Sequence, residues 1–368
     1  MDIKEKEIEK YLKNKYKKNI SEIKIEKLGS GVFGTGYRLK FKLDNKDKTL
    51  ILKSLFKENL GMDHYSDRAS SLLEAHDNYN KMESHIKSED VIAHNNNDSL
   101  TSIGDTKEFY ILMEEAKGED LFKDFENIRK SRLLEEKTKN KIKIISDFLV
   151  ELHKNKHKST SLYRRKIRDT IGSGCSLIGL LDMHPENAFK QFEKEWLEII
   201  KLSINFWRKS RNLTHRLSEI HADYHPGNLW FNNNELIILD RSKGRFGEPA
   251  DDIIAFAINP IMYSLITNQK FEGSFKEIFD LFWNNYFKQT KDKEMRKIMA
   301  PYIAFRISVI TNPLFYNDEF FGSSKKANLI RKKLINFALN VLKDKEFDPK
   351  KINLYLKELN NFLNYPHL

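Results

Sequence analysis

The sequence predicts an α+β chain built in two parts, a small β-rich part over residues 1–115 and a larger, mainly helical part over residues 116–368. Three observations predict it. Between positions 20 and 55, apolar and polar residues alternate over three short runs separated by turn-forming residues. From about position 140 onward, apolar residues recur at three- and four-residue spacing, the signature of amphipathic helices. Only two short strand-like runs, Leu229–Phe231 and Leu236–Asp240, interrupt that helical pattern.

A chain of 368 residues with 40% hydrophobic and 12% aromatic content can bury a sizeable core. Eight prolines and fifteen glycines exclude a low-complexity or collagen-like chain. No stretch approaches the roughly twenty apolar residues that span a bilayer, so a soluble protein with no membrane partner is expected. The N-terminus MDIKEKEIEKYLKNKYKK alternates charges without the apolar core of a secretory signal, and the single cysteine, Cys175, has no intrachain partner. Both point to a cytoplasmic setting. The formal charge of +11 comes from 64 Lys and Arg against 53 Asp and Glu, and the cations are dispersed among the acids. No nucleic-acid partner is therefore expected, while a polyanionic cofactor is compatible. Oligomeric state is not written in the sequence.

In order along the chain, residues 3–18 place Ile8, Tyr11 and Leu12 at helical spacing. IKIEKL, TGYRLKFKL and TLILKSL read as strands, and the alternation of Tyr37, Leu39, Phe41 and Leu43 with polar residues gives an antiparallel strand with one wet face. A helix near 67–83 and a strand FYILM at 109–113 complete this part. In NKIKIISDFLVELHK the residues Ile142, Ile145, Leu149 and Leu152 form one continuous stripe on a core helix. Further helices are expected at about 186–208, 250–268, 275–288, 294–311 and 325–343. Trp196, Trp207, Trp230 and Trp283 read as core, Cys175 as a small packed residue, and the basic run KNKHKSTSLYRRKIR at 154–168 as a solvated face.

In KLGSGVFGTGYRLKF, Gly29, Gly31 and Gly34 fit G-x-G-x-x-G between two strands, where backbone N–H groups can approach phosphates; an ordinary hairpin turn gives the same spacing. Lys53 in the next strand could reach those phosphates, held there by Glu74 of the following helix. The most informative tract is IHADYHPGNLWF followed by LIILDRS. Phosphoryl transfer needs a carboxylate to orient or accept a hydroxyl proton and oxygen ligands for magnesium. Asp223 supplies the first, and Asn228 and Asp240 the second. His221 reads as a structural residue bonding the backbone near the strand that ends at Asp240, and Asp252 as the acceptor that holds the loop from a helix N-terminus.

Over about residues 25–260 the sequence resembles the protein-kinase-like superfamily, and more closely its aminoglycoside phosphotransferase and choline kinase branch. HADYHPGN is similar to that branch's H-G-D-x-H-P-G-N loop, and EPADDI to its G-D-P-A-x-D-L stretch. The resemblance implies a two-lobed protein-kinase-like fold with ATP and Mg2+ in the interlobe cleft, Asp223 as the catalytic base, Asn228 and Asp240 as metal ligands, and Lys53 with Glu74 as the nucleotide-positioning pair. It also implies a hinge in YILMEEAKGED, where backbone groups around Glu114 and Ala116 would bond adenine, and a role for His225 at the transferring phosphoryl group or packed beneath it. Ala222 stands where the branch usually has glycine, Arg241 and Ser242 follow Asp240 in place of an aromatic and a small or acidic residue, and the glycine loop is richer than is common in the branch.

The reaction this implies is transfer of the γ-phosphoryl group to a hydroxyl of a small molecule, aminoglycoside-, amino alcohol- or sugar-like. An atypical protein Ser/Thr kinase and a non-catalytic scaffold are the alternatives. The segment SKGRFGEP after Asp240 is too short to support an extended peptide, which disfavours the first; the scaffold would need a reason to retain all five catalytic positions.

Overall fold

A computed structural model describes residues 4–31, 34–57, 61–344 and 346–358. The chain is a mixed α+β protein of helices and small antiparallel sheets. Its contacts divide it into two units, Met1–Met113 and Glu114–Leu368.

The first unit opens with α1 (Glu5–Tyr16), followed by the meander β1 (Ile20–Ser30), β2 (Gly34–Leu43) and β3 (Lys46–Leu55), then α2 (Tyr65–Lys81) and the short hairpin β4 (Ile92–His94) and β5 (Leu100–Ser102). Asp44 and Asn45 join β2 to β3 with φ of 47° and 67°, the left-handed pair that matches the twist of a tight hairpin. Ile8, Tyr11 and Leu12 bury one stripe of α1 with Ile20, Leu39 and Phe41, so period-3.6 and period-2 patterns meet in one core. Tyr11 donates to Asp90 at 2.5 Å, and Lys15 bonds the same carboxylate at 2.9 Å, fixing α1 against the segment before β4.

FYILM at 109–113 is not a strand. Its side chains are between 61% and 100% exposed, and it forms no ladder with any described strand. An apolar run promises a buried strand only where a sheet edge receives its backbone, and the three-stranded sheet pairs within itself in the order β1-β2-β3.

The second unit runs β6 (Glu119–Asp120), α3 (Leu121–Ser131), α4 (Glu136–His153), α5 (Thr160–Gly172), α6 (Leu177–Asp182), α7 (Glu186–Lys190), α8 (Glu193–Ser210), β7 (Ser218–Glu219), β8 (Leu229–Asn232), β9 (Glu235–Ile238), β10 (Phe246–Gly247), α9 (Ala250–Asn268), α10 (Gly273–Thr290), α11 (Ala300–Thr311), α12 (Asp318–Phe321), α13 (Ser324–Lys343) and α14 (Ile352–Tyr355). The helix expected over 186–208 is broken into α7 and α8, and α11 starts at Ala300 after a separate turn of 3-10 helix at Glu294–Lys297. Helices α9 and α11 are apolar almost all round and form the centre of the core. Ser159, Asn317 and Ser323 cap α5, α12 and α13 through their side-chain oxygens. Trp196 and Trp283 are buried as expected, whereas Trp207 and Trp230 are only half-buried, the latter donating from Nε1 to the Gly227 carbonyl at 3.0 Å.

The basic run at 154–168 is not simply a solvated face. Tyr163 is fully buried and donates to Glu248 at 3.0 Å; Lys156 bonds the Ser218 hydroxyl, and Lys166 donates to the Lys243 carbonyl. Arg216 completes this buttress by a two-pronged bond to Glu248 at 2.7 and 3.0 Å. Lys166 and Arg216 thus satisfy a carbonyl and a carboxylate of the chain after Asp240, a long-range use that a linear charge pattern cannot reveal.

Candidate active site

In the second unit, a loop runs from β7 to β8, and its shape is imposed from below by α9. Asp252, fully buried in the first turn of that helix, accepts from the His221 N–H at 2.8 Å and the Ala222 N–H at 2.7 Å. Its carboxylate also meets His153 Nε2 at 3.1 Å, and His153 in turn bonds the Tyr286 hydroxyl at 2.7 Å. Ala222 sits at φ 71°, a left-handed conformation that costs an L-residue on the order of 1 kcal/mol and persists because Asp252 grips both N–H groups. His221 donates from Nε2 to the Leu239 carbonyl at 2.8 Å, which ties the loop to the end of β9, and its Nδ1 accepts from the Asp223 N–H at 3.2 Å.

Asp223 projects from this frame between two cations. Its Oδ1 lies 2.5 Å from Arg306 of α11, and its Oδ2 lies 3.0 Å from Lys243 Nζ. Burial alone would raise this carboxyl, but the Arg306 and Lys243 charges outweigh it and hold Asp223 well below the usual carboxylate range. Arg306 also bonds Asp251 at 2.8 Å and the Ala222 carbonyl at 3.1 Å. Burial raises the Asp251 carboxyl despite that partner.

His225 caps the 3-10 turn Pro226–Asn228 by accepting from the Gly227 N–H at 3.1 Å. Burial pushes its imidazole below the ordinary value, against the pull of Asp223, so it is neutral at physiological pH. Asn228 donates from Nδ2 to the Asp223 carbonyl at 3.0 Å, which leaves Oδ1 as its acceptor end, and its own carbonyl accepts from the Leu239 N–H at 2.9 Å. That bond places the end of β9, with the exposed Asp240 at φ 54° just beyond it, beside Asn228. Asn228 and Asp240 offer two hard oxygen donors, a set that suits Mg2+ completed by water and phosphate oxygens. Among the described residues, no cluster of three or more His, Cys, Asp or Glu could hold a metal by itself.

A pocket of about 290 Å3 opens beside Asp223 and His225, entirely within this unit. Apolar side chains of α6, α9 and α11 wall it, with Lys243, Asn259, Arg306 and Tyr316 as its other polar lining. Cys175 is exposed and lines the same pocket, contrary to the packed position expected of it.

In the first unit, Gly31 donates its N–H to the Gly34 carbonyl at 2.9 Å, and Gly34 starts β2 where an added Cβ would lie 1.9 Å from the Ser54 carbonyl oxygen. That position is glycine because two strands touch there. Gly29 faces open space. Lys53 is paired in the ladder with Gly36 and its side chain is exposed, as is that of Glu74; the ion pair expected between them is not formed, because α2 buries no residue fully and Glu74 faces solvent. Glu114 is exposed and Ala116 half-buried, on the irregular chain before β6.

Two residues of the site are absent from the sequence reading. Arg306 is the lone charge within the otherwise apolar helix APYIAFRISVIT, and that isolation is the signal that could have found it. Lys243 lies in SKGRFGEP and carries no local signal.

No protein-family model matches the chain, and no curated protein sequence does either. Solved structures to which it is similar include a spectinomycin phosphotransferase in complex with ADP and spectinomycin, at 13% identity over 93% of this chain and 99% of that one, with a TM-score of 0.36. An aminoglycoside phosphotransferase in ternary complex with ADP and hygromycin B matches at 10% identity over 92% and 99%, with a TM-score of 0.37. A Plasmodium vivax ethanolamine kinase matches at 14% identity over 91% and 80%, with a TM-score of 0.32.

Proposed function

We propose that the protein is an ATP-dependent phosphotransferase that moves the γ-phosphoryl group to a hydroxyl of a small molecule. The observation that carries this reading is the setting of Asp223, a carboxylate fixed between Arg306 and Lys243 at the edge of a small pocket. Phosphoryl transfer through a loose transition state asks the protein mainly for positioning and electrostatic stabilisation. A strongly acidic carboxylate is a weak base, so Asp223 orients the acceptor hydroxyl and takes its proton late, as the oxygen–phosphorus bond forms and the bond to the leaving ADP oxygen breaks.

Lys243 and Arg306 hold the carboxylate in place, keep it ionised until the transfer, and favour return of the accepted proton to solvent once the phosphorylated product has formed. His225, neutral and capping the turn, keeps Asn228 beside the Asp223 backbone. Asn228 and Asp240 would hold Mg2+, which when bound offsets the charge of the phosphate oxygens. The nucleotide-handling roles of Gly29, Gly31, Gly34, Lys53, Glu74, Glu114 and Ala116 belong to the same proposal and rest on the sequence resemblance.

The test is transfer of label from ATP, comparing a library of hydroxyl compounds (aminoglycosides, amino alcohols, sugars, simple alcohols) with generic protein substrates under identical conditions. A labelled small molecule is expected. Efficient labelling of proteins with no active small molecule would replace this reading with a protein kinase.

A further inference from the structure

We infer that the acceptor is a compact hydroxyl compound with an apolar body and without a cluster of ammonium groups. This rests on the phosphotransferase reading and narrows its substrate class. The apolar part of the wall of the pocket beside Asp223 comes mainly from Leu180, Met183, Ile258, Val309, Ile310 and Phe315. Its volume of about 290 Å3 stands at the lower end of what small-ligand sites use, where burial of apolar surface carries affinity and a few polar groups fix orientation.

The charges in the lining point the same way. Among the described residues Asp223 is the only acidic one in the lining, and both of its oxygens already accept from cations. Lys243 and Arg306 line the pocket as well. Asn259 is committed through its side-chain amide to the Ala255 carbonyl at 2.8 Å and to Phe256 at 3.5 Å, whose carbonyl lacks its usual helical donor because residue 260 is proline. A compound with several ammonium groups would therefore give up water for a wall with no free carboxylate and two positive charges, and desolvated unpaired charge is costly. An apolar alcohol needs only its hydroxyl placed at Asp223.

Cys175 gives a readout that does not depend on turnover. It is the sole cysteine of the chain, it is exposed, and it lines the pocket, so occupancy should slow its alkylation. Alkylation of the intact protein is followed by mass spectrometry with cinnamyl alcohol and with kanamycin as probes. Cinnamyl alcohol is expected to protect at a concentration about 100-fold lower than kanamycin, the ratio that an unpaired buried charge implies. The variant Met183→Glu places a carboxylate at the exposed rim, where it does not disturb the core, and is expected to narrow that ratio at least severalfold. Equal or better protection of the wild-type protein by kanamycin overturns the inference, and so does protection by neither probe up to the solubility of each. Failure of the phosphotransferase reading itself would show instead as absence of MgATP binding by calorimetry on the same protein, a measurement independent of both probes.

Discussion

Arg306 Nη1 sits 2.5 Å from Asp223 Oδ1 while Nη2 of the same guanidinium sits 2.8 Å from Asp251 Oδ1, so one cation on α11 joins the loop after β7 to the start of α9. The two carboxylates respond in opposite directions. Asp223 is held well below its ordinary range, whereas burial raises Asp251. A planar, always-charged fork can serve both at once, which a lysine ammonium cannot do with the same geometry.

Removing that fork should cost stability and position together. Arg306→Met leaves Asp251 without its ionic partner in a buried setting, and a loss of roughly 3–5 kcal/mol is expected from breaking such a pair. Adding Asp251→Asn should recover a large part of it. Denaturant unfolding of the single and double variants checks this, and purely additive losses would show that the two residues are not energetically coupled.

Asp252 should be the most sensitive structural residue of the site. Its replacement by alanine strands three donors, the His221 and Ala222 N–H groups and His153 Nε2, at a cost of roughly 1–3 kcal/mol for each buried group left unpaired. The expected outcome is a large fall in the thermal midpoint. A change within measurement error would mean that other partners hold the loop.

His225 contributes a pH dependence of stability with a definite sign, in the same direction as the buried His184. Its folded value lies below the unfolded one of about 6.5, so its contribution is fully present above that pH and is lost as pH falls toward the folded value. Asn is a good N-cap and does not titrate. His225→Asn should therefore flatten the decline in thermal midpoint between pH 7 and pH 5, and an unchanged slope would place the decline elsewhere. Asp223 adds no acid limb in that window, because its depressed carboxyl loses its stabilising contribution only below the unfolded carboxylate value of about 3.9.

Magnesium-dependent nucleotide binding should depend on Asp240. Asp240→Ala is expected to abolish tight binding of MgATP while the exposed position of this side chain leaves folding intact. Calorimetry giving equal MgATP affinity in the variant would remove Asp240 from the metal site.

The meander of the first unit and the stripe of α4 were legible because each rests on a period visible within a dozen residues. The placement of His221, Asp223, His225 and Asn228 in one loop follows from their adjacency in sequence. Arg306 stands 83 positions from Asp223, and no local pattern joins them; only its isolation within an apolar helix hints at a buried partner. FYILM shows the opposite limit, since apolar composition alone could not show that no sheet edge receives it. The basic run at 154–168 misled for a related reason, because Tyr163 and Lys166 find their partners at Glu248 and Lys243.

The central claim is that Asp223 serves the acceptor hydroxyl rather than the nucleotide. The most direct measurement is single-turnover transfer of the γ-phosphoryl group from labelled ATP to an active acceptor, run with the wild-type protein and Asp223→Asn at saturating MgATP, with MgATP affinity measured in parallel. The account predicts a fall in the transfer rate of roughly 100-fold or more, within the range that loss of a positioned base and its orienting effect produces, and MgATP affinity changed by less than about threefold. Transfer at the wild-type rate, or a loss confined to MgATP affinity, would contradict it.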